Sequence, residues 1–298
     1  MNRFAEYRAF VAVAASGVNG AARRLNVAPS AISRRIKELE AGLGVQLFSR
    51  TGRSLDLTDA GRAYLADAEV ILDLVQDADR RVRDQVSALS GRIRLAAPLS
   101  FGLSDLMPIL ADWQAEHPGI DMEVDLDDRR VDVARDGFDL AVRIGAMPDS
   151  ALKARKLTRY PFVLACAPGY FADGKAPRRI ADLEGLPGLL YDGVDDPTVW
   201  RGKGPDGAEA QAALRPRMVS NNGDALREAA VRGVGITRQP SFLLAPALRA
   251  GTLEAVLPGH DWGGVDVYAL RPERRYQPER VTALIAHLTG ALKTVDRT

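Results

Sequence analysis

Apolar positions are spaced for helices in the first part of the chain and for alternating strands and helices after it. Phe4, Tyr7, Ala9, Phe10, Val11, Val13 and Ala14 give a first helix over about 3–15 a broad apolar face. Asn19 suits an N-cap, and Ala21, Ala22 and Leu25 make one face of a short second helix over 20–26. Asn26 and Val27 form a turn. Pro29 then stands at a first helical position, where its missing N–H costs nothing. Ile32, Ile36, Leu39 and Leu43 follow at three- and four-residue steps, so a third helix over 29–41 buries one face before Gly42 and Gly44 end it.

The run VQLFSRTGRSLDLT reads as two extended pieces turned at Thr51-Gly52. Thr58 caps the next helix. Along it Leu65, Ala68, Leu72, Val75, Val82, Val86 and Leu89 keep a three- and four-residue rhythm that Asp79 breaks once. Such a helix, about 45 Å long, cannot bury that stripe alone, which predicts pairing with a second copy. From Gly91 the pattern alternates. Strands are predicted at 92–98, 120–126 and 138–145, with helices at 99–116 and 130–136. A second unit starts with a strand at 161–168. It continues with strands near 188–191, 215–220, 234–237 and 252–257 and helices near 169–173, 223–232 and 240–250. A strand at 265–272 and a helix at 278–293 return to the first unit. This β-α-β order predicts mostly parallel sheets with helices on both faces. The chain therefore divides at 1–58, 59–90 and 91–298. The last part splits into one lobe of about 91–160 with 266–298 and a second of 161–265.

Charge changes this picture at one end only. The net charge is +1, yet residues 1–60 hold 9 Lys+Arg against 5 Asp+Glu, 61–90 hold 4 against 6, and the remainder 27 against 28. A basic excess confined to the amino end fits a polyanion partner there. Ser30, Ser33, Arg34 and Lys37 occupy the polar face of the third helix, with Arg35 beside them; Arg23 and Pro29 join them at its entrance. Small hydroxyls backed by cations suit a helix entering the major groove of double-stranded DNA. Arg50 and Arg53, at the hairpin tip, would reach phosphates or the adjacent minor groove. A helix-turn-helix followed by a basic hairpin is a winged helix.

Other chemistry is sparse. Cys166, the one cysteine, excludes an internal disulfide, and its setting FVLACAP predicts a buried thiol. His117, His260 and His287 are scattered, and no HExxH, GxSxG, Walker or GxGxxG motif surrounds them, so neither a metal, a cofactor nor an enzymatic reaction is expected. The segment 9–17 is a poor signal h-region, because Glu6 interrupts its basic flank and the apolar run is short. No run approaches the ~20 apolar residues of a membrane span, so a cytoplasmic protein without membrane contact is expected.

The run from Phe10 to Arg62 resembles the DNA-binding domain of the LysR-type transcriptional regulators. The matching residues are Ala21, Ala22, Leu25, Ser30, Ser33, Ile36, Leu39, Glu40, Leu43, Gly44, Leu47, Phe48, Arg50, Leu55, Thr58, Gly61 and Arg62. The later chain fits the same family to near its end. Two places depart from it. Gly17-Val18 stand where the family has Ser and a large apolar residue, and Ala28 stands where Ser or Thr caps the third helix, a cap worth ~1 kcal/mol. The resemblance implies an α/β protein overall: a winged helix-turn-helix, a linker helix, and a two-lobed effector domain like a periplasmic binding protein. It further implies homodimers that pair into homotetramers, RNA polymerase as a partner, and regulation by a small-molecule effector.

Such lobes form a cleft at the carboxyl ends of their strands. Ser100, with the free N–H groups around Phe101 and Gly102, suits a carboxylate or another anion. Asn221 and Asn222 offer donors from the second lobe, Ile144-Gly145 and Ile236 apolar walls, and Trp200 a ring to stack on. Arg238, at the end of an apolar strand, is expected either in a buried ion pair or on an anionic ligand. The residues alone also allow a ligand-independent architectural DNA-binding protein.

Overall fold

A computed structural model describes residues 3–51, 54–83, 89–129, 132–133, 136–145, 152–171, 176–273 and 277–294. Helix α1 (Arg3–Leu25) contains both of the first two helices, joined across a kink at Gly17. There φ is 66° and ψ 176°, a region that side chains with a Cβ resist, so glycine is what lets the chain turn. Helix α2 (Pro29–Leu43) starts with Pro29 after Ala28, which supplies no side-chain cap, and ends at Gly44 in the left-handed conformation. Ile32, Ile36 and Leu39 are buried with Ala9, Phe10, Val13, Ala21 and Ala22 in one core.

Strands β1 (Phe48–Thr51) and β2 (Ser54–Leu57) close the hairpin, with Thr51 opposite Ser54. Arg53 lies outside the described residues, as does the side chain of Arg50. The Leu47 and Phe48 N–H groups donate to Glu40 Oε1 at 2.8 and 3.1 Å, which fixes the hairpin root to α2. Helix α3 (Asp59–Arg83) starts from Thr58, whose Oγ1 accepts the Gly61 N–H at 2.9 Å, as its spacing predicts. A Cβ on Gly61 would overlap the Leu47 carbonyl, so this close joint requires glycine. Only part of the stripe on α3 is open. Leu65 and Ala68 pack into the amino-terminal core, Leu72 and Val75 are half-buried, and Ile71 and Leu74 are exposed. The side chains of Asp79 and Val82, and all of Val86, lie outside the described residues.

The rest of the chain forms two lobes. Lobe one contains β3 (Ser90–Ala97), α4 (Leu99–Phe101), a π-helical turn (Gly102–Leu106), α5 (Met107–Glu116), β4 (Gly119–Leu126) and β5 (Leu140–Ile144). Strand β6 (Leu152–Cys166) crosses out of it. Lobe two contains β7 (Pro187–Tyr191), β8 (Val199–Lys203), β9 (Glu209–Ala213), β10 (Arg215–Ser220), α6 (Gly223–Val231), β11 (Ile236–Pro240), α7 (Ser241–Arg249) and β12 (Glu254–Ala255). Strand β13 (Gly264–Pro272) and α8 (Glu279–Thr294) return to lobe one. The sheet order is β10-β7-β11-β6-β13-β5-β3-β4, continuous through β6. Leu152 to Pro161 pair with β13, and Phe162 to Ala165 pair with β11, so β6 passes from one set of strands to the other near Pro161.

Two expected helices fail, and two strand segments were not expected. Among the described residues of 130–136 there is a single turn, closed by the Asp136 N–H on the Asp132 carbonyl at 2.8 Å, instead of a helix. Around 169–173 a tight turn brings the Tyr170 N–H to the Ala167 carbonyl at 3.0 Å. The β8–β9 hairpin and the first part of β6, residues 152–160, are segments that the pattern did not announce.

Candidate nucleic-acid interface and effector cleft

The polar face of α2 is open. Pro29, Ser30, Arg34 and Lys37 are exposed, Ser33 and Arg35 are half-exposed, and Arg23 stands exposed at the end of α1. Arg34 retains 80% of its side-chain surface although its Nε pairs with Glu38 at 3.0 Å. The buried face opposite holds Ile32, Ile36 and Leu39, so the helix cannot rotate its cations inward without exposing its core. Asn19, Arg23, Asn26, Val27 and Pro29 line a surface depression of about 610 Å³ between the two helices of the motif.

The second site is the joint between the lobes. Ser100 Oγ on α4 donates to Asp224 Oδ2 on α6, bridging lobe one to lobe two. Arg227 holds the same carboxylate, NH1 to Oδ1 at 2.6 Å. Behind this bridge Phe242 of α7 packs edge-on against Phe101 and Tyr160, at 5.4 and 5.1 Å between centroids. Tyr160 OH donates to Asp105 Oδ1 at 2.7 Å. On the rim, Asp128 Oδ1 accepts the Leu99 N–H at 3.0 Å. Burial, with Asp128's charge, pushes the Tyr191 hydroxyl pKa up. Ser241 Oγ, at the start of α7, is buried without a hydrogen-bond partner among the described residues.

Residues 4–62 match the model of the bacterial regulatory helix-turn-helix protein, lysR family, and residues 87–293 match that of the LysR substrate binding domain. The chain belongs to the LysR family of bacterial transcriptional regulators. It is 34% identical to the HTH-type transcriptional regulator PtxR of Pseudomonas aeruginosa over 281 residues, 94% of this chain and 90% of that one. It is 29% identical to the transcriptional activator AaeR of Escherichia coli, covering 100% of this chain and 96% of that one. Among solved structures, CrgA of Neisseria meningitidis matches with a TM-score of 0.59 and 26% identity, over 96% of this chain and 98% of that one. As a LysR-family regulator the protein binds DNA through its amino-terminal module and carries a domain through which small-molecule effectors modulate it. Among the described residues no helix is long and apolar enough to cross a membrane.

Four of the effector residues expected from sequence are instead packing residues of this LysR-family fold. Phe101 is 0% exposed, inside the lobe-one core. A Cβ on Gly102 would overlap Leu126, and its N–H already donates to the Pro98 carbonyl at 2.7 Å, so it is not a free donor. Ile236 and Trp200, 0% and 2% exposed, belong to the lobe-two core. Sequence periodicity marks such positions as apolar but cannot say whether a strand faces a cleft or its own core. Ile144 is half-buried against the lobe-one core, and the Gly145 N–H donates to the Asp266 carbonyl at 3.0 Å. Asn222 Oδ1 caps α6 by accepting the Ala225 N–H at 3.0 Å, while Asn221 is exposed beside it. Sequence reasoning missed Asp224, the residue that meets Ser100. An acid two positions after a strong N-cap reads as ordinary helix-dipole compensation, and only the fold brings it across to α4. Cys166 is 0% exposed, and burial with the nearby Glu254 carboxylate raises its thiol pKa to about 12.

Proposed function

We propose that α2 is the recognition helix of a sequence-specific regulator. Pro29, Ser30, Ser33, Arg34, Arg35 and Lys37 would face base edges and flanking phosphates, with Arg23, Arg50 and Arg53 on the backbone. The observation that carries this reading is the outward set of Arg34 and its neighbours over a fixed apolar face. Two copies joined along Ile71, Leu72, Leu74 and Val75 of α3 would present two such helices to one two-fold site, and dimers of this kind would pair into tetramers. The effector is a small molecule, a carboxylate in our reading, received between the lobes near Ser100, Asn221 and Asn222. Its binding would move the lobes about β6 and so change how the paired modules sit on DNA and act on RNA polymerase. We place the protein in the cytoplasm and assign it no cofactor; that its relatives are transcriptional regulators supports the absence of a catalytic reaction.

A salt titration of DNA binding tests the assignment of α2. Arg34→Ala weakens binding at every salt concentration and reduces the slope of log K against log salt by about one unit, the mark of one lost phosphate contact. If Arg34 reads a base instead, the slope holds and discrimination at one base pair falls by about 1–3 kcal/mol. Binding identical to the unmodified chain in both respects rejects the recognition-helix assignment.

A further inference from the structure

Arg238 is a cation held in place without an anion. It lies on β11, where alternate residues face opposite sides of the lobe-two sheet. Its guanidinium carbon is 5.2 Å from the ring centroid of Phe162 and 5.7 Å from that of Trp200. Trp200 is buried and Arg238 is partly buried. Stacking against the two rings fixes the plane of the guanidinium but satisfies none of its N–H groups. Among the described residues no carboxylate and no hydrogen-bond acceptor bonds to it. Burial pushes its pKa down, and the positive charge of Arg201 adds to that. Arg201 stands on the β8–β9 hairpin, its Nε donating to Gln211 Oε1 at 3.1 Å. A partly buried arginine ordinarily has a carboxylate at its fork, because a desolvated charge left unpaired is costly. No acid among the described residues meets Arg238, and Arg201 adds positive charge nearby.

We propose that Arg238 anchors a second small-molecule site in lobe two, which takes an organic carboxylate on the free N–H edge of the guanidinium. Arg201 adds attraction from the hairpin. The planar fork suits the two oxygens of a carboxylate, and stacking on Phe162 and Trp200 fixes its plane. The same fork could hold a phosphoryl group, which the phosphate arm of the test distinguishes. The site is separate from the cleft at Ser100. Asp224 lies on α6, which packs with Ala165, Leu189 and Leu226 on one side of the sheet, whereas Arg238 shares the other side with Ile236 and Trp200. Failure of this proposal would therefore leave the cleft reading standing.

The test uses the full chain, with thermal unfolding and tryptophan fluorescence followed as sodium benzoate is added against sodium chloride at equal ionic strength. Inorganic phosphate forms the second arm. Benzoate gives a saturable rise in unfolding temperature and a fluorescence change. Arg238→Met abolishes both, and Arg238→Lys raises half-saturation about tenfold, the loss of one charge-assisted hydrogen bond. Without benzoate Arg238→Met unfolds at or above the temperature of the unmodified chain, because it removes an unpaired cation; should it fail to fold, Arg238→Lys carries the comparison. Trp200→Phe keeps the thermal response and loses most of the fluorescence change. Equal responses in the unmodified and Arg238 variants, or no response to benzoate, overturn the proposal. Saturation by phosphate at a lower concentration than benzoate overturns the carboxylate assignment.

Discussion

Arg280 and Asp73 form an ion pair across the joint between the linker helix and lobe one, NH2 to Oδ2 at 2.6 Å, with 5% and 19% of their side chains exposed. Arg280 Nε also donates to the Arg92 carbonyl at 2.8 Å, so one side chain ties α8 both to α3 and to the first strand of lobe one. The module that binds DNA is thereby coupled to the domain that senses effector through a short, largely dry contact. Removing one partner of such a pair leaves the other charge buried, at a cost of about 3–5 kcal/mol, whereas replacing both by apolar residues is close to neutral. Asp73→Leu therefore destabilises the chain in urea unfolding, and Asp73→Leu with Arg280→Met recovers most of the loss. A double variant as unstable as the single one would show that this contact is not an isolated pair.

Glu69 stands one turn before Asp73 on the same helix. Burial, reinforced by the charges of Asp139 and Asp73, pushes its carboxyl pKa up, and Arg94 and Arg92 oppose this only in part. A carboxyl whose pKa is raised on folding binds more protons folded than unfolded. Its contribution to stability is thus fully present below the unfolded value, about pH 4.3, and is lost as pH rises through the folded value. Glu69→Gln removes this dependence. The unfolding temperature of the variant, relative to the unmodified chain, should rise from about pH 4 and level off once pH passes the folded pKa. A difference that stays flat across that interval would reject the sign.

The amino-terminal module was legible because its signals are local. Gly44 ends α2, Thr58 caps α3, and the three- and four-residue spacing of Ile32, Ile36 and Leu39 fixes which face is buried. The first part of β6, residues 152–160, was not legible, because its burial follows no alternation. Nor was the cleft. Ser100 was visible as a residue at a strand-to-helix junction, but its partner Asp224 is 124 positions away. Trp200 and Ile236 carry the same apolar signature whether they line a pocket or fill a core. The Arg280–Asp73 pair was equally hidden, because each residue reads alone as an exposed helix charge. What sequence lacked in each case was a long-range pairing, which no local period encodes.

Cys166 offers a check on the interior of lobe two. Its thiol pKa, raised to about 12 by burial and by Glu254, leaves almost no thiolate at pH 8. The folded chain should therefore react with a soluble disulfide reagent at the rate of its global unfolding, and one equivalent of thiol should appear at once in denaturant. Rapid labelling of the folded chain at pH 8 would contradict the burial of β6 in that core.

The Ser100–Asp224 bridge makes the closest prediction about switching. It joins α4 of one lobe to α6 of the other, and its acceptor is an ionised group that Arg227 also holds. A hydrogen bond to a charged acceptor contributes about 1.5–3 kcal/mol when it is formed out of bulk water. Ser100→Ala and Asp224→Ala should each destabilise the folded chain, and the double variant should cost less than their sum by about that coupling energy. Either variant should also expand the effector domain in small-angle scattering, because the lobes lose this polar tie beside the packing of Phe242 against Phe101 and Tyr160. Losses that add without coupling would mean that Ser100 and Asp224 act separately and that their bridge does not tie the lobes.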